Sequence, residues 1–231
     1  MKAIFKKAIA FVLVIAMAVT TGVMLPQSTV EVQAAKAKVY MNPYNAKVVT
    51  YKPGDGYSKY YTTLSIMGCS KKSQIKKLKS SNKAIKVSAK NGYIEATFGD
   101  KAGKTTITCT VKGVKLKTTL TVKKYTNPCK SIKVGKQNLT SKFKNTDVYK
   151  TNKGYKNQTL NIKMNKGWKI SSVYVYKGGG SSANKRYDVD NKSSFSKKIT
   201  VSNDYGYVYV SCYNEKTKIS EWLEIRTSKY Y

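Results

Sequence analysis

The sequence has no histidine, two arginines, 11 acidic residues and four cysteines among 231 positions. Each shortage closes a route to function. Without imidazole there is no Ser-His-Asp or Cys-His pair and no histidine metal ligand. Cys69, Cys109, Cys129 and Cys212 show no C-x-x-C spacing, so a thiolate metal site is not expected either. Guanidinium forks that read phosphates and base edges are confined to Arg186 and Arg226, and no nucleic-acid motif is present. That argues against DNA or RNA as a partner. Among the few carboxylates, Asp188 and Asp190 sit two apart with Asp204 nearby. They match neither the two opposed carboxylates of a glycosidase nor the spacing of a calcium loop. The expectation is a non-enzyme with no catalytic residue, no cofactor and no metal.

Long apolar runs are missing too, except at the start. Lys2, Lys6 and Lys7 precede an apolar run from Ala8 to Ala18 that extends weakly to Leu25, and Pro26 ends it. Val32-Gln33-Ala34 then offers small residues at minus three and minus one of a cleavage site. This is the layout of a secretory signal peptide over residues 1–34. The run is short and interrupted for a spanning helix of about 20 residues. The expected product is secreted or extracellular, with cell-wall association as a variant of that expectation, and has no transmembrane span after cleavage. Disulfides persist in such a compartment. The four cysteines allow three connectivities. Cys69 with Cys109 and Cys129 with Cys212 is the simplest, because each pair brackets one half of the chain; four free thiols is the alternative in a reducing habitat.

A hydrophobic fraction of 41% is enough to build a core. The pattern of that fraction alternates at period two, which puts apolar side chains on one face of a strand. Tyr61 to Ile66 aligns Leu64 and Ile66; Thr106 to Val111 aligns Ile107, Cys109 and Val111. Val114 to Val122 aligns Val114, Leu116, Leu120 and Val122, with Thr118 in phase. Turn signals punctuate the runs at Pro53-Gly54-Asp55-Gly56, Asn91-Gly92 and Lys112-Gly113, the last predicting a two-residue hairpin. The pattern predicts an all-β chain of short strands.

Within it, Lys79-Ser80-Ser81-Asn82, Ile85-Lys86-Val87-Ser88, Gly92-Tyr93-Ile94-Glu95-Ala96 and Gly103-Lys104-Thr105-Thr106-Ile107-Thr108 follow one another in order. Residues 36–124 thereby resemble the bacterial immunoglobulin-like repeat, group 2; Leu78 stands where that family usually carries Trp. The resemblance implies a β-sandwich of the kind found in surface, adhesive and enzyme-attached proteins. Residues 131–229 repeat the style. Leu160, Ile162 and Met164 share a face, Trp168 leads into Val173 to Tyr176, and Tyr207 to Cys212 and Ile219 to Ile225 predict a final hairpin through Asn214-Glu215-Lys216. A Trp on a middle strand and a Cys on a Tyr-rich strand loosely resemble an immunoglobulin-type sandwich. The expected organisation is a signal peptide and two tandem immunoglobulin-like β-sandwiches joined by a linker over 125–130, where Pro128 interrupts strand pairing.

What the chain has in excess is lysine and tyrosine. The 42 lysines leave a formal net charge of +33. Lys71, Lys72, Lys76, Lys77 and Lys79 crowd one connection and are the candidate anion-binding residues. Such a field attracts polyanions over the screening length of about 8 Å at physiological salt. An anionic cell-wall or extracellular polysaccharide is the expected partner, and the expected function is a non-enzymatic cell-surface binding or adhesion module. Lysine also deters edge-to-edge sheet aggregation, a purely structural use. Among the 19 tyrosines, Tyr174, Tyr176, Tyr207 and Tyr209 fall on matching strand faces. They form a candidate glycan-stacking platform, or simply cross-strand pairs that stabilise a sheet. A carbohydrate-binding accessory module and a structural spacer are the alternative functions.

Overall fold

The computed structural model describes residues 38–178 and 184–231; the signal peptide expected over residues 1–34 lies outside them. Among the described residues no helix is long and apolar enough to cross a membrane. The chain is all-β. Its first eight strands are β1 (Tyr40–Met41), β2 (Val48–Tyr51), β3 (Tyr60–Met67), β4 (Ile75–Ser80), β5 (Lys86–Lys90), β6 (Tyr93–Phe98), β7 (Gly103–Val111) and β8 (Val114–Lys124). They form two sheets, ordered β1-β3-β6-β5 and β2-β8-β7-β4. Leu64, Ile94, Ile107, Val111 and Leu120 are fully enclosed between them. Each such side chain contributes about 1.5–3 kcal/mol by leaving water.

The nine strands that follow are β9 (Cys129–Val134), β10 (Gln137–Asn138), β11 (Val148–Thr151), β12 (Tyr155–Met164), β13 (Trp168–Tyr176), β14 (Lys185–Lys192), β15 (Ser194–Val201), β16 (Gly206–Asn214) and β17 (Ile219–Thr227). Their sheets run β10-β9-β12-β15 and β11-β17-β16-β13-β14. A second core, with Ile132, Leu160, Ile170, Val173, Val210 and Leu223 at its centre, lies between them. The stretch expected as a linker contributes to this core: Tyr125 and Cys129 are buried in it, and β9 begins at Cys129. Residues 38–231 form one compact unit.

Alternation explains the strands. In β16 Val208, Val210 and Cys212 are buried while Tyr207, Tyr209 and Ser211 face out half-covered. In β7 the buried set is Thr105, Ile107, Cys109 and Val111. Val114 departs from its expected inward place: it opens β8 at the rim beside the turn and is 42% exposed. That turn is the predicted two-residue hairpin. Val111 pairs with Val114, and Lys112 and Gly113 both take positive φ, at 49° and 83°. Both angles suit the primed turns whose twist matches the flanking strands. The final hairpin also forms, with Asn214 opposite Ile219 and the Asn214 Oδ1 accepting from the N–H groups of Lys216 and Thr217. Two parallel pairings, β2 with β8 and β11 with β17, close one sheet in each sandwich.

The Ser80-Ser81-Asn82 step ties β4 to β7. Ser80 Oγ lies 2.8 Å from the buried Thr105 Oγ1, Thr106 N–H donates to Ser81 Oγ, and Asn82 Nδ2 donates to the Lys104 carbonyl. These bonds hold the edge strand that carries the candidate anion-binding lysines.

Candidate functional site

Strand β4 is the edge of its sheet, and its outward residues extend a row across the neighbours. Lys76 pairs with Thr110, which pairs with Lys115; Lys79 pairs with Thr108, which pairs with Lys117. Directly opposed side chains sit about 4.5–5.5 Å apart at Cβ, and residues two apart along a strand about 6.6–6.8 Å. The result is a grid of ammonium groups with threonine hydroxyls between them, continued by Lys104, Thr106, Thr119 and Thr121. All five sequence-singled lysines are exposed. Lys71 and Lys72 lie at the 3-10 turn Lys72–Gln74 before β4, and Lys77 bulges out of β4 at a φ of 51°. None of Lys71, Lys72, Lys76, Lys77, Lys79, Lys115 and Lys117 is in an ion pair among the described residues. Lys115 and Lys117 were visible in the sequence only as members of an alternating strand; the register adds them to the cluster.

The four candidate stacking tyrosines also meet. Tyr174 pairs with Tyr209 and Tyr176 with Tyr207 across β13 and β16. Their rings pack mainly on one another: Tyr176 and Tyr207 stack at 4.9 Å and 16°, and Tyr207 meets Tyr209 edge-on at 4.9 Å. A ring whose face is covered by a neighbour offers its edge and hydroxyl to solvent. This geometry is that of cross-strand stabilisation.

Cys69, Cys109, Cys129 and Cys212 are all free thiols in this structure, so the expected disulfides are not shown. Cys129 Sγ lies 3.7 Å from Met164 Sδ, and Cys212 Sγ donates to the Glu221 carbonyl. Burial pushes the Cys129 thiol up to about 12 and raises those of Cys109 and Cys212. Thiols held in that range are poor nucleophiles. The acidic residues near the end of the chain stay apart: Asp188 pairs with Arg186 and Asp204 with Lys229.

A feature that sequence spacing did not reveal lies where the two sandwiches join. Lys52 of the first reaches Asp147 at 3.2 Å and Glu221 at 3.4 Å in the second. Thr50 donates to Glu221, Thr146 donates to Asp55, and Gly54 N–H donates to the Asn145 carbonyl. A Cβ at Gly54 would come within 3.0 Å of that same carbonyl oxygen, so the close approach requires glycine. Burial works against the Lys52 ammonium, but Glu221 and Asp147 outweigh it and leave its pKa raised. Burial likewise raises the carboxyls of Asp147 and Glu221 against the pull of Lys52. Above this polar floor opens a cleft of about 930 Å³ whose rim includes Tyr44, Tyr57, Tyr61 and Trp222.

No protein-family model matches the chain, and no curated protein matches it. Solved structures give distant likenesses. Titin domains A168–A170 share 12% identity over 84% of this chain and 66% of theirs, with a TM-score of 0.28. The fibronectin(III)-like modules of Clostridium thermocellum CbhA share 14% over 83% and 94%, at 0.31. Bovine butyrophilin shares 8% over 84% and 99%, at 0.28.

Proposed function

We propose that this protein is a secreted, non-enzymatic surface module that binds an anionic extracellular polymer through the lysine–threonine face of β4, β7 and β8. The observation that carries it is the grid in which Lys76, Lys79, Lys115 and Lys117 stand in register with no carboxylate among them. Ammonium groups at regular spacing suit a chain with repeating phosphate or carboxylate groups, such as a wall phosphopolymer or an acidic glycan. Each contact is exposed and weak alone, so affinity comes from number and falls as salt screens the field. The first sandwich is, on this reading, a group 2 bacterial immunoglobulin-like repeat; its Ser80-Ser81-Asn82 step anchors the cationic edge strand.

Purified bacterial cell walls provide the test. Retention is expected at low ionic strength and release as sodium chloride approaches 0.5 M, with the variant carrying Gln at positions 76, 79, 115 and 117 released earlier. Retention that is equal at both ionic strengths, or equal for the variant, contradicts the proposal.

A further inference from the structure

The cleft between the sandwiches has a different chemistry from the rest of the surface. Elsewhere lysine dominates, but here Lys47, Lys52, Lys59 and Lys218 face Asp55, Asp147 and Glu221, so cations and carboxylates nearly balance. A site with little net field selects a ligand that is itself close to neutral. Over the polar floor stand aromatic rings that no packing requirement explains. Tyr44 is 93% exposed, Tyr61 70% and Trp222 66%. Among the described residues none of these three pairs with another ring, in contrast to the Tyr176–Tyr207 stack. Their faces are open to a ligand.

Apolar ring faces above paired hydrogen-bonding groups suit a molecule with one C–H face and many hydroxyls. We infer that the cleft between the sandwiches binds a short segment of a saccharide chain, stacked on Trp222 and Tyr61, its hydroxyls bonded by Asp55, Asp147 and the rim lysines. The volume, about 930 Å³, lies at the upper end of the range for small-ligand sites, which gather at domain junctions. Thr50 and Lys52 hold Glu221, and Lys52 and the Thr146 bond to Asp55 fix the rest of the floor before any ligand arrives. Preorganisation of this kind lowers the cost of binding. The sugar site is separate from the lysine grid, so either can fail without the other.

Trp222 supplies its own reporter, because the second tryptophan, Trp168, is only 7% exposed. Acrylamide quenching of the full chain is measured with four probes: a neutral β-1,4-linked tetrasaccharide, an oligogalacturonate, a proline-rich peptide and inorganic polyphosphate. The expected result is that the neutral tetrasaccharide protects Trp222 several-fold, with little change between 50 mM and 500 mM salt. Calorimetric affinity should fall at least tenfold in Trp222→Ala and several-fold in Tyr61→Ala, both exposed positions that leave the melting temperature in place. The variant with Gln at 76, 79, 115 and 117 should bind the neutral sugar unchanged. No protection by the neutral tetrasaccharide, or protection only by the oligogalacturonate, the peptide or polyphosphate, overturns the inference.

Discussion

At the residue scale, buried polar groups separate those that are answered from those that are not. Lys52 has two carboxylates within 3.4 Å, whereas the Tyr125 hydroxyl, in a side chain 2% exposed, has no hydrogen-bond partner. A buried hydroxyl without a partner costs about 1–3 kcal/mol. Tyr125→Phe keeps the ring in the second core and removes that cost, so its urea midpoint should rise by the equivalent of about 1 kcal/mol. A lower midpoint would mean that the hydroxyl is bonded in solution. The sequence marked Tyr125 only as part of a join between domains, since nothing local distinguishes a tyrosine in a linker from one inserted in a core.

At the element scale, what the sequence revealed was what neighbours decide. The Lys112-Gly113 hairpin and the turn after Asn214 were legible because both ends of each lie within a few residues. Positive φ at Gly113 makes the turn testable: Gly113→Ala should lose about 1–2 kcal/mol, the cost of placing Cβ in the left-handed region. Lys112→Asn, which tolerates that region better, should hold or slightly raise the unfolding midpoint. Equal stability for wild type and Gly113→Ala would refute the turn assignment. The parallel pairings of β2 with β8 and β11 with β17 were not legible, because Val48 and Thr121 meet only after the chain has returned from the opposite sheet. For the same reason Lys115 and Lys117 appeared as ordinary strand lysines until register set them beside Lys76 and Lys79. The cleft was still less accessible to sequence, since Tyr61 and Trp222 come from different sandwiches.

At the scale of the whole molecule, the join between sandwiches is a partly buried charge cluster, with Glu221 enclosed and Lys52 and Asp147 half-covered, and its response to pH follows from the directions of its pKa shifts. Asp147 and Glu221 are raised by burial, so their contribution to stability is greatest below the ordinary carboxyl range and declines as pH rises through their folded values. Acid therefore does not release them. Lys52 is raised too, and Tyr155 is pushed up to about 12 by burial. Both contribute below about pH 10 and lose that contribution above it. Melting temperature should therefore fall steeply above pH 10. Lys52→Met leaves the buried Glu221 and the half-buried Asp147 without their cation and should cost up to about 3–5 kcal/mol near neutrality, the range for breaking a buried pair, with part of the loss recovered on acidification. A variant as stable as the parent at pH 7 would show that Lys52 does not hold the sandwiches together.

The proposal that the lysine–threonine face binds a polyanion is tested most directly by the salt dependence of affinity for inorganic polyphosphate. Each phosphate neutralised on a single chain steepens log K against log salt by about 0.7. If Lys76, Lys79, Lys115 and Lys117 each engage one, the wild-type slope should exceed that of the four-Gln variant by about 3. Parallel slopes for the two proteins would contradict the account, because the charge that binds would then lie elsewhere.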